Sequence, residues 1–252
     1  VKIFQLESTN YCNGFCGYCP TGKGTMTRKQ GFVSMDVVER VCDIYEPCHQ
    51  DVFPFNEIHA ERTLELHHFG EPLLHPGIIR IVRYVRDRGI KPILGTNGLL
   101  LSKTMILKLR DAGLDSFHIQ WNRFSPLDEI LDAAARGGVV VIVLDRTEIA
   151  DYTIERIKAG GGKVYLKRRR NFGGFEDYEP GKEGDENCVW LKEDWKNVLW
   201  DGTVVTCCND YDGVSNRGSI LLPDGVQKNE PFHYCEGCAG YSADRDSEGV
   251  YL

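Results

Sequence analysis

Residues 2–19, KIFQLESTNYCNGFCGYC, decide how the rest of the chain is read. Residues 2–7 predict a strand. Just beyond it three cysteines fall in the pattern Cys12-x-x-x-Cys16-x-x-Cys19, in a loop that also holds Gly14, Gly17 and Gly24. Three thiolates this close together can wrap one iron–sulfur cube and leave its fourth iron without a protein ligand. A structural zinc ion would want a fourth ligand, which His67, His68 or His75 could supply. An odd number of cysteines at these tight spacings argues against disulfides.

Outward from this loop, strands and helices alternate as far as about residue 169. Residues 64–68, 92–95, 116–121, 139–144 and 163–167 are predicted as the next strands. Residues 34–45, 77–88, 105–111, 126–135 and about 149–158 are predicted as the helices between them. Ser34 and Ser102 stand at cap positions, and Gly113 is a stop signal. Strands separated by helices in this order imply a parallel sheet with right-handed crossovers. Six such units without a clear seventh predict an α/β fold, an open, partial (β/α)6 TIM-like barrel over residues 1–170. Residues 171–252 then form a small second domain. It begins with a Gly-, Glu- and Asp-rich connection over 171–187. Asp201-Gly202 between the apolar runs 197–200 and 203–206 is a hairpin signal. Cys42 and Cys48 are assigned to the helical stretch 34–45 as buried small hydrophobes.

Composition narrows the function. The chain has 252 residues, 42% hydrophobic, which is enough for a buried core. Its formal net charge of −7 argues against a nucleic-acid partner and is compatible with a cationic substrate. No apolar run approaches the ~18–20 residues of a membrane span. Residues 1–6 are too short for a signal-peptide core, and the first residue is Val, which leaves room for native residues before it. Ten cysteines without an export signal predict a cytoplasmic metal or cluster protein.

The cysteine pattern after an N-terminal strand, with Tyr18 beside the last cysteine, resembles the radical S-adenosylmethionine (radical SAM) superfamily. Phe69-Gly70-Glu71-Pro72-Leu73-Leu74 is similar to its Gly-Gly-Glu motif, with Phe69 in place of the first glycine. Thr96-Asn97-Gly98 is similar to its strand-end motif, and Gln120 to a position that meets the SAM ribose or carboxylate. The resemblance covers about the first two thirds of the chain. It implies a [4Fe–4S] cluster on Cys12, Cys16 and Cys19, with SAM chelating the open iron near Gly70, Glu71, Asn97 and Gln120. It also implies an external one-electron reductant such as flavodoxin or ferredoxin, and a 5′-deoxyadenosyl radical that abstracts hydrogen from an unactivated C–H bond.

Cys188, Cys207, Cys235 and Cys238 can close a second cube or a zinc site. Their order around the hairpin resembles the Twitch appendix, the short form of the SPASM domain, which implies a second [4Fe–4S] cluster. The combination is similar to radical SAM enzymes acting on aminocyclitols and aminoglycosides, and implies a small, polyhydroxylated, cationic substrate. Within that resemblance Arg169 and Arg170 can meet substrate, or can form a solvated basic run. Asp210 can bind a substrate ammonium or hydroxyl, or close a turn before Gly213. Adjacent strand residues face opposite sides, so only one of Cys207 and Cys208 can easily ligate; Cys208 can be that ligand with Cys207 buried, or a packing residue. Cys208 is preferred as the thiol that returns hydrogen in an epimerase. The alternatives are a dehydrogenase with the auxiliary cluster as electron acceptor, a ribosomal-peptide epimerase or maturase, and a non-catalytic zinc-binding interaction module.

Overall fold

Strands that are apolar on both faces build a sheet with two cores, and this chain has both. The computed structural model describes residues 1–48, 62–143, 146–166, 188–223, 225–237 and 250–251. β1 (Ile3–Leu6) is followed by α1 (Pro20–Lys23) and α2 (Met35–Ile44). Then come β2 (Thr63–Glu65), α3 (Ile78–Asp87), β3 (Lys91–Thr96), α4 (Lys103–Asp111), β4 (Ser116–Gln120), α5 (Leu127–Ala134), β5 (Val139–Val143), α6 (Asp151–Ala159) and β6 (Lys163–Leu166). Each of these strands pairs in parallel with the next, in chain order. This is the predicted α/β partial barrel.

The period of two along each strand separates the faces. Leu64, Leu66, Leu94, Phe117, Ile119, Val139, Val141 and Val164 pack in one core with the helices. Val140 and Tyr165, with Phe4 and Ile142 against them, turn to the other face and meet Trp190 and Trp195. The helices present stripes at helical spacing, as in Ile78, Ile81, Val82 and Val85 of α3. Full burial of such a side chain contributes about 1.5–3 kcal/mol. Ser34 and Ser102 cap α2 and α4, each accepting from a backbone N–H three residues on. Gly113, at φ +92°, follows the end of α4.

The C-terminal region does not stand apart from this sheet. After α7 (Val189–Lys192), β7 (Lys196–Val198) and β8 (Thr203–Val205) form the predicted hairpin around Gly202, whose φ is +87°. β9 (Asn216–Ser219) extends it. β7 also pairs in parallel with β1, and β10 (Val250–Tyr251) pairs antiparallel with β6. The result is one sheet in the order β10-β6-β5-β4-β3-β2-β1-β7-β8-β9. Neither of these joins was predicted.

Two local expectations are corrected. β2 ends at Glu65, so His67 and His68 lie beyond the strand. Cys48 lies past the end of α2, although it is buried, as is Cys42. Among the described residues, no helix is long and apolar enough to cross a membrane.

Candidate functional site

The cysteine loop leaves β1 at its C-terminal end, where parallel α/β sheets place their sites. Cys19 caps α1 and Pro20 opens it. The backbone N–H of Cys19 donates to Cys16 O at 3.0 Å. Gly22 sits so tightly on Cys16 that a Cβ there would lie 2.5 Å from its N and O. A Cβ on Gly14 would lie 3.5 Å from Cys12 Sγ, 3.7 Å from Cys16 Sγ and 3.5 Å from Asn97 Nδ2. The Cys12 and Cys16 sulfurs therefore border one space, which a side chain at residue 14 would crowd. Burial pushes the Cys12 and Cys19 thiols up, and the neighbouring cysteines push in the same direction. The Tyr18 hydroxyl bonds Cys16, and burial followed by the Cys16 charge raises it too.

This donor set fits an iron–sulfur cube. Among the described residues no three His, Cys, Asp or Glu side chains converge tightly enough for a single metal ion. None of the described cysteines is in a disulfide. The three histidines weighed as zinc ligands are engaged elsewhere. His75 Nε2 meets Val33 O at 3.0 Å, and its Nδ1 accepts from Gly77 N at 2.9 Å. His67 Nδ1 accepts from Gly95 N at 3.2 Å. His68 Nδ1 lies 3.7 Å from Glu7 Oε1.

Two further loops close on the cysteine loop. Gly70 has φ +148°, and a Cβ there would lie 2.2 Å from Thr9 O. Glu71 N donates to Tyr11 O at 2.7 Å. The Glu71 carboxylate is buried and accepts from Leu73 N at 3.0 Å, Thr96 Oγ1 at 2.8 Å and Asn97 N at 2.7 Å. Burial raises its pKa, and these hydrogen bonds oppose the shift. Asn97 Nδ2 reaches Asn13 Oδ1 at 2.8 Å. Glu71 and Asn97 thus bind the ends of β2 and β3 to the cysteine loop. Gln120 is half-buried at the end of β4, its Nε2 donating to Ile142 O at 3.1 Å.

Sequence reasoning missed the connection from this loop to the C-terminal region. Arg28 makes a bidentate pair with Glu7, which is fully buried, and its Nε donates to Tyr211 O at 2.5 Å. Burial pushes the Glu7 carboxyl up, but the neighbouring His68 ring and the hydrogen-bonded Arg28 guanidinium outweigh it and hold the carboxyl below the usual range. Thr27 N donates to Asp212 Oδ1 at 2.6 Å. Glu7, an acidic residue directly after the buried strand β1, was the one signal in the sequence.

The second cysteine set is organised by one amide. Asn229 Nδ2 donates to Trp190 O and Trp195 O, both at 2.7 Å, and to Thr206 O at 3.3 Å. It thereby ties the turn that begins at Cys188 to the strand end that carries Cys207. Its Oδ1 takes the Nζ of buried Lys196 at 2.8 Å. Cys188, Cys207 and Cys208 all pack against the inner aromatic group of Trp190, Trp195 and Tyr165. Cys208 Sγ donates to Asn209 Oδ1 at 3.8 Å. Cys235 lies in a short 3-10 turn, His233–Gly237. Asp210 is fully buried, accepting from Val214 N at 3.0 Å, Ser215 N at 2.8 Å and Ser215 Oγ at 2.5 Å. Its carboxylate closes a turn. Cys238, Arg169 and Arg170 lie outside the described residues.

Residues 6–164 match the family model described as the Radical SAM superfamily. An AdoMet-dependent heme synthase of Methanosarcina barkeri is 27% identical over 118 residues, which is 47% of this chain and 30% of that protein. The match therefore spans well under two thirds of that relative's length. Two crystal structures share the fold. BtrN in complex with AdoMet and 2-DOIA has a TM-score of 0.62 at 19% identity, covering 87% of this chain and 78% of that one. Streptococcus suis SuiB bound to precursor peptide SuiA has a TM-score of 0.56 at 11% identity, covering 90% of this chain and 62% of that one.

Proposed function

The chain belongs to the radical SAM superfamily, and from that premise we propose that it inverts one carbon centre of a hydroxylated, amine-bearing small molecule. In this reading Cys12, Cys16 and Cys19 hold the first [4Fe–4S] cluster, and Gly70, Glu71, Asn97 and Gln120 surround SAM. Cys188, Cys207, Cys235 and Cys238 hold a second cube in a Twitch-like region beginning near residue 171. When bound, the first cluster and SAM supply a 5′-deoxyadenosyl radical, which removes hydrogen from a carbinol carbon.

The residue that sets the outcome is Cys208. Its S–H bond is weaker than the C–H bond of an alcohol carbon, so transfer to the substrate radical runs downhill. The S–H bond breaks, a C–H bond forms on the opposite face, and a thiyl radical is left on Cys208. One electron from an external flavodoxin- or ferredoxin-type reductant and one proton restore the thiol. The observation that carries this reading is the Cys208 thiol itself. It donates to Asn209 Oδ1 beside Cys207, half-buried against the inner aromatic group.

The test is incubation with candidate aminocyclitols and aminoglycosides in D2O, with SAM and reductant. One deuterium at an inverted centre is expected. A product lighter by two mass units means two-electron oxidation of a secondary alcohol and rejects the epimerase reading.

Glu71 provides a test of the cofactor side. Glu71→Ala leaves three buried donors without their acceptor, at about 1–3 kcal/mol for each group left unsatisfied. The protein is expected to lose about 2 kcal/mol or more in denaturant unfolding. The SAM dissociation constant is expected to rise ~10- to 100-fold as Asn97 and Asn13 loosen. Unchanged SAM affinity would reject the motif assignment.

A further inference from the structure

The inner face of the sheet carries a row of polar side chains that the reaction described above does not use. Asn197 on β7 pairs with Gln5 on β1, and Gln5 pairs with Glu65 on β2. Gly95 on β3 pairs with His118 on β4. Paired residues project to the same face. Their neighbours Leu64, Leu66, Phe117 and Ile119 pack outward on the helices, so this row faces inward. Its members are deeply buried: Gln5 and Glu65 are 6% exposed, His118 5% and Asn197 0%.

The row is built around the Glu65 carboxylate. Gln5 Nε2 donates to Glu65 Oε2 at 2.8 Å. His118 Nδ1 lies 3.6 Å from Oε1, and His67 Nε2 lies 3.5 Å from Oε2. Gly95 makes room for His67, since a Cβ there would come within 2.5 Å of its Nδ1. The Gly95 N–H donates to that Nδ1 at 3.2 Å, which places the ring proton on Nε2, toward Glu65. Beside this arrangement, Gln5 Oε1 and both polar atoms of Asn197 are buried without a hydrogen-bond partner. Buried polar atoms are rarely left unpaired, because desolvation is then uncompensated.

We infer that Gln5, Glu65, His67, His118 and Asn197 anchor the substrate through an ammonium group and an adjacent hydroxyl, the signature of a vicinal amino alcohol. The inference rests on the reading of the reaction given above. Two amide oxygens and a carboxylate suit a cation with several N–H donors. Asn197 Nδ2 requires an acceptor, which a neighbouring hydroxyl oxygen supplies. The carboxylate repels an anionic ligand. The row is also at the right depth. His118 lies two residues before Gln120 on β4 and Gly95 two before Asn97 on β3, about 7 Å along a strand. Val205, opposite Asn197, is followed closely by Cys207 and Cys208. A small molecule held here spans the distance between the cofactor loops and the Cys208 side.

The test uses the full chain with its clusters loaded and SAM present, titrated anaerobically by calorimetry. The probes are 2-deoxystreptamine and the neutral scyllo-inositol. Wild type is expected to prefer the amine ~10-fold or more. Glu65→Gln keeps the shape and removes the charge, and is expected to abolish that preference. Asn197→Leu removes two unpaired atoms at similar volume. It is expected to weaken amine binding ~10-fold while SAM affinity is kept and the unfolding temperature is unchanged or higher. Wild-type binding that both variants leave intact overturns the anchor and leaves the reaction standing. A wild type that binds neither cyclitol overturns the substrate class together with the reading beneath it. Variants that unfold early and lose SAM binding would assign these residues to the fold, which also overturns the anchor.

Discussion

Cys208→Ala, with both clusters loaded, is expected to cleave SAM in the presence of substrate and to yield no epimer. The substrate radical forms, since the variant leaves the first cysteine loop untouched, but nothing returns hydrogen on the opposite face. A stalled radical, visible by electron paramagnetic resonance, or an oxidised shunt product should take the place of the epimer. The fold should survive, because Cys208 is half-buried and its thiol bond to Asn209 is long, at 3.8 Å. Each competing assignment predicts a different outcome. If Cys208 ligates the second cube, the variant loses auxiliary iron. If the enzyme is a dehydrogenase, the variant keeps its iron and forms ketone at a similar rate. Full iron with normal epimer formation rejects the donor role. Iron content and product identity on one variant therefore decide among these readings.

Replacing Cys12, Cys16 and Cys19 together by Ala should remove about four irons and abolish 5′-deoxyadenosine formation. The expectation follows from the place of this cysteine loop in a radical SAM chain and from the Cys12 and Cys16 sulfurs both bordering the space beside Gly14. The second cube should persist. Asn229 and Lys196 hold the Cys188 and Cys207 segments together through bonds that do not involve the first loop. The two regions do communicate through Arg28 and Thr27, which bond Tyr211 and Asp212. A modest loss of stability is therefore compatible with the assignment, whereas continued production of 5′-deoxyadenosine is not.

Much of the site was legible in order along the chain. The spacing of Cys12, Cys16 and Cys19 is a local pattern, and so are the strand-end motifs at Gly70-Glu71 and Thr96-Asn97-Gly98. What each carboxylate does was not legible. Glu71 read as part of a cofactor motif, and Asp210 as a substrate ligand or a turn residue. Both prove to be buried acceptors that fasten backbone N–H groups. Composition does not distinguish a carboxylate that meets a ligand from one that ties down a loop. Only its surroundings do. The interior row showed only faintly, as polar residues Glu65 and His118 beside apolar Leu64, Phe117 and Ile119.

By itself the sequence determined the alternation of strands and helices, the caps at Ser34 and Ser102, the hairpin at Gly202 and the cysteine spacings. These depend on side-chain periodicity and backbone preference over a few residues. The tertiary structure alone decided where the C-terminal region attaches. An open six-stranded sheet leaves unpaired N–H and C=O groups on both outer strands, which must be covered. β7 covers β1, and β10 covers β6. Pairing β7 with β1 brings Asn197 beside Gln5, and Cys188, Cys207 and Cys208 pack on the inner aromatic group. Those neighbours are distant in the chain, and no short-range pattern encodes which free edge a late strand will join.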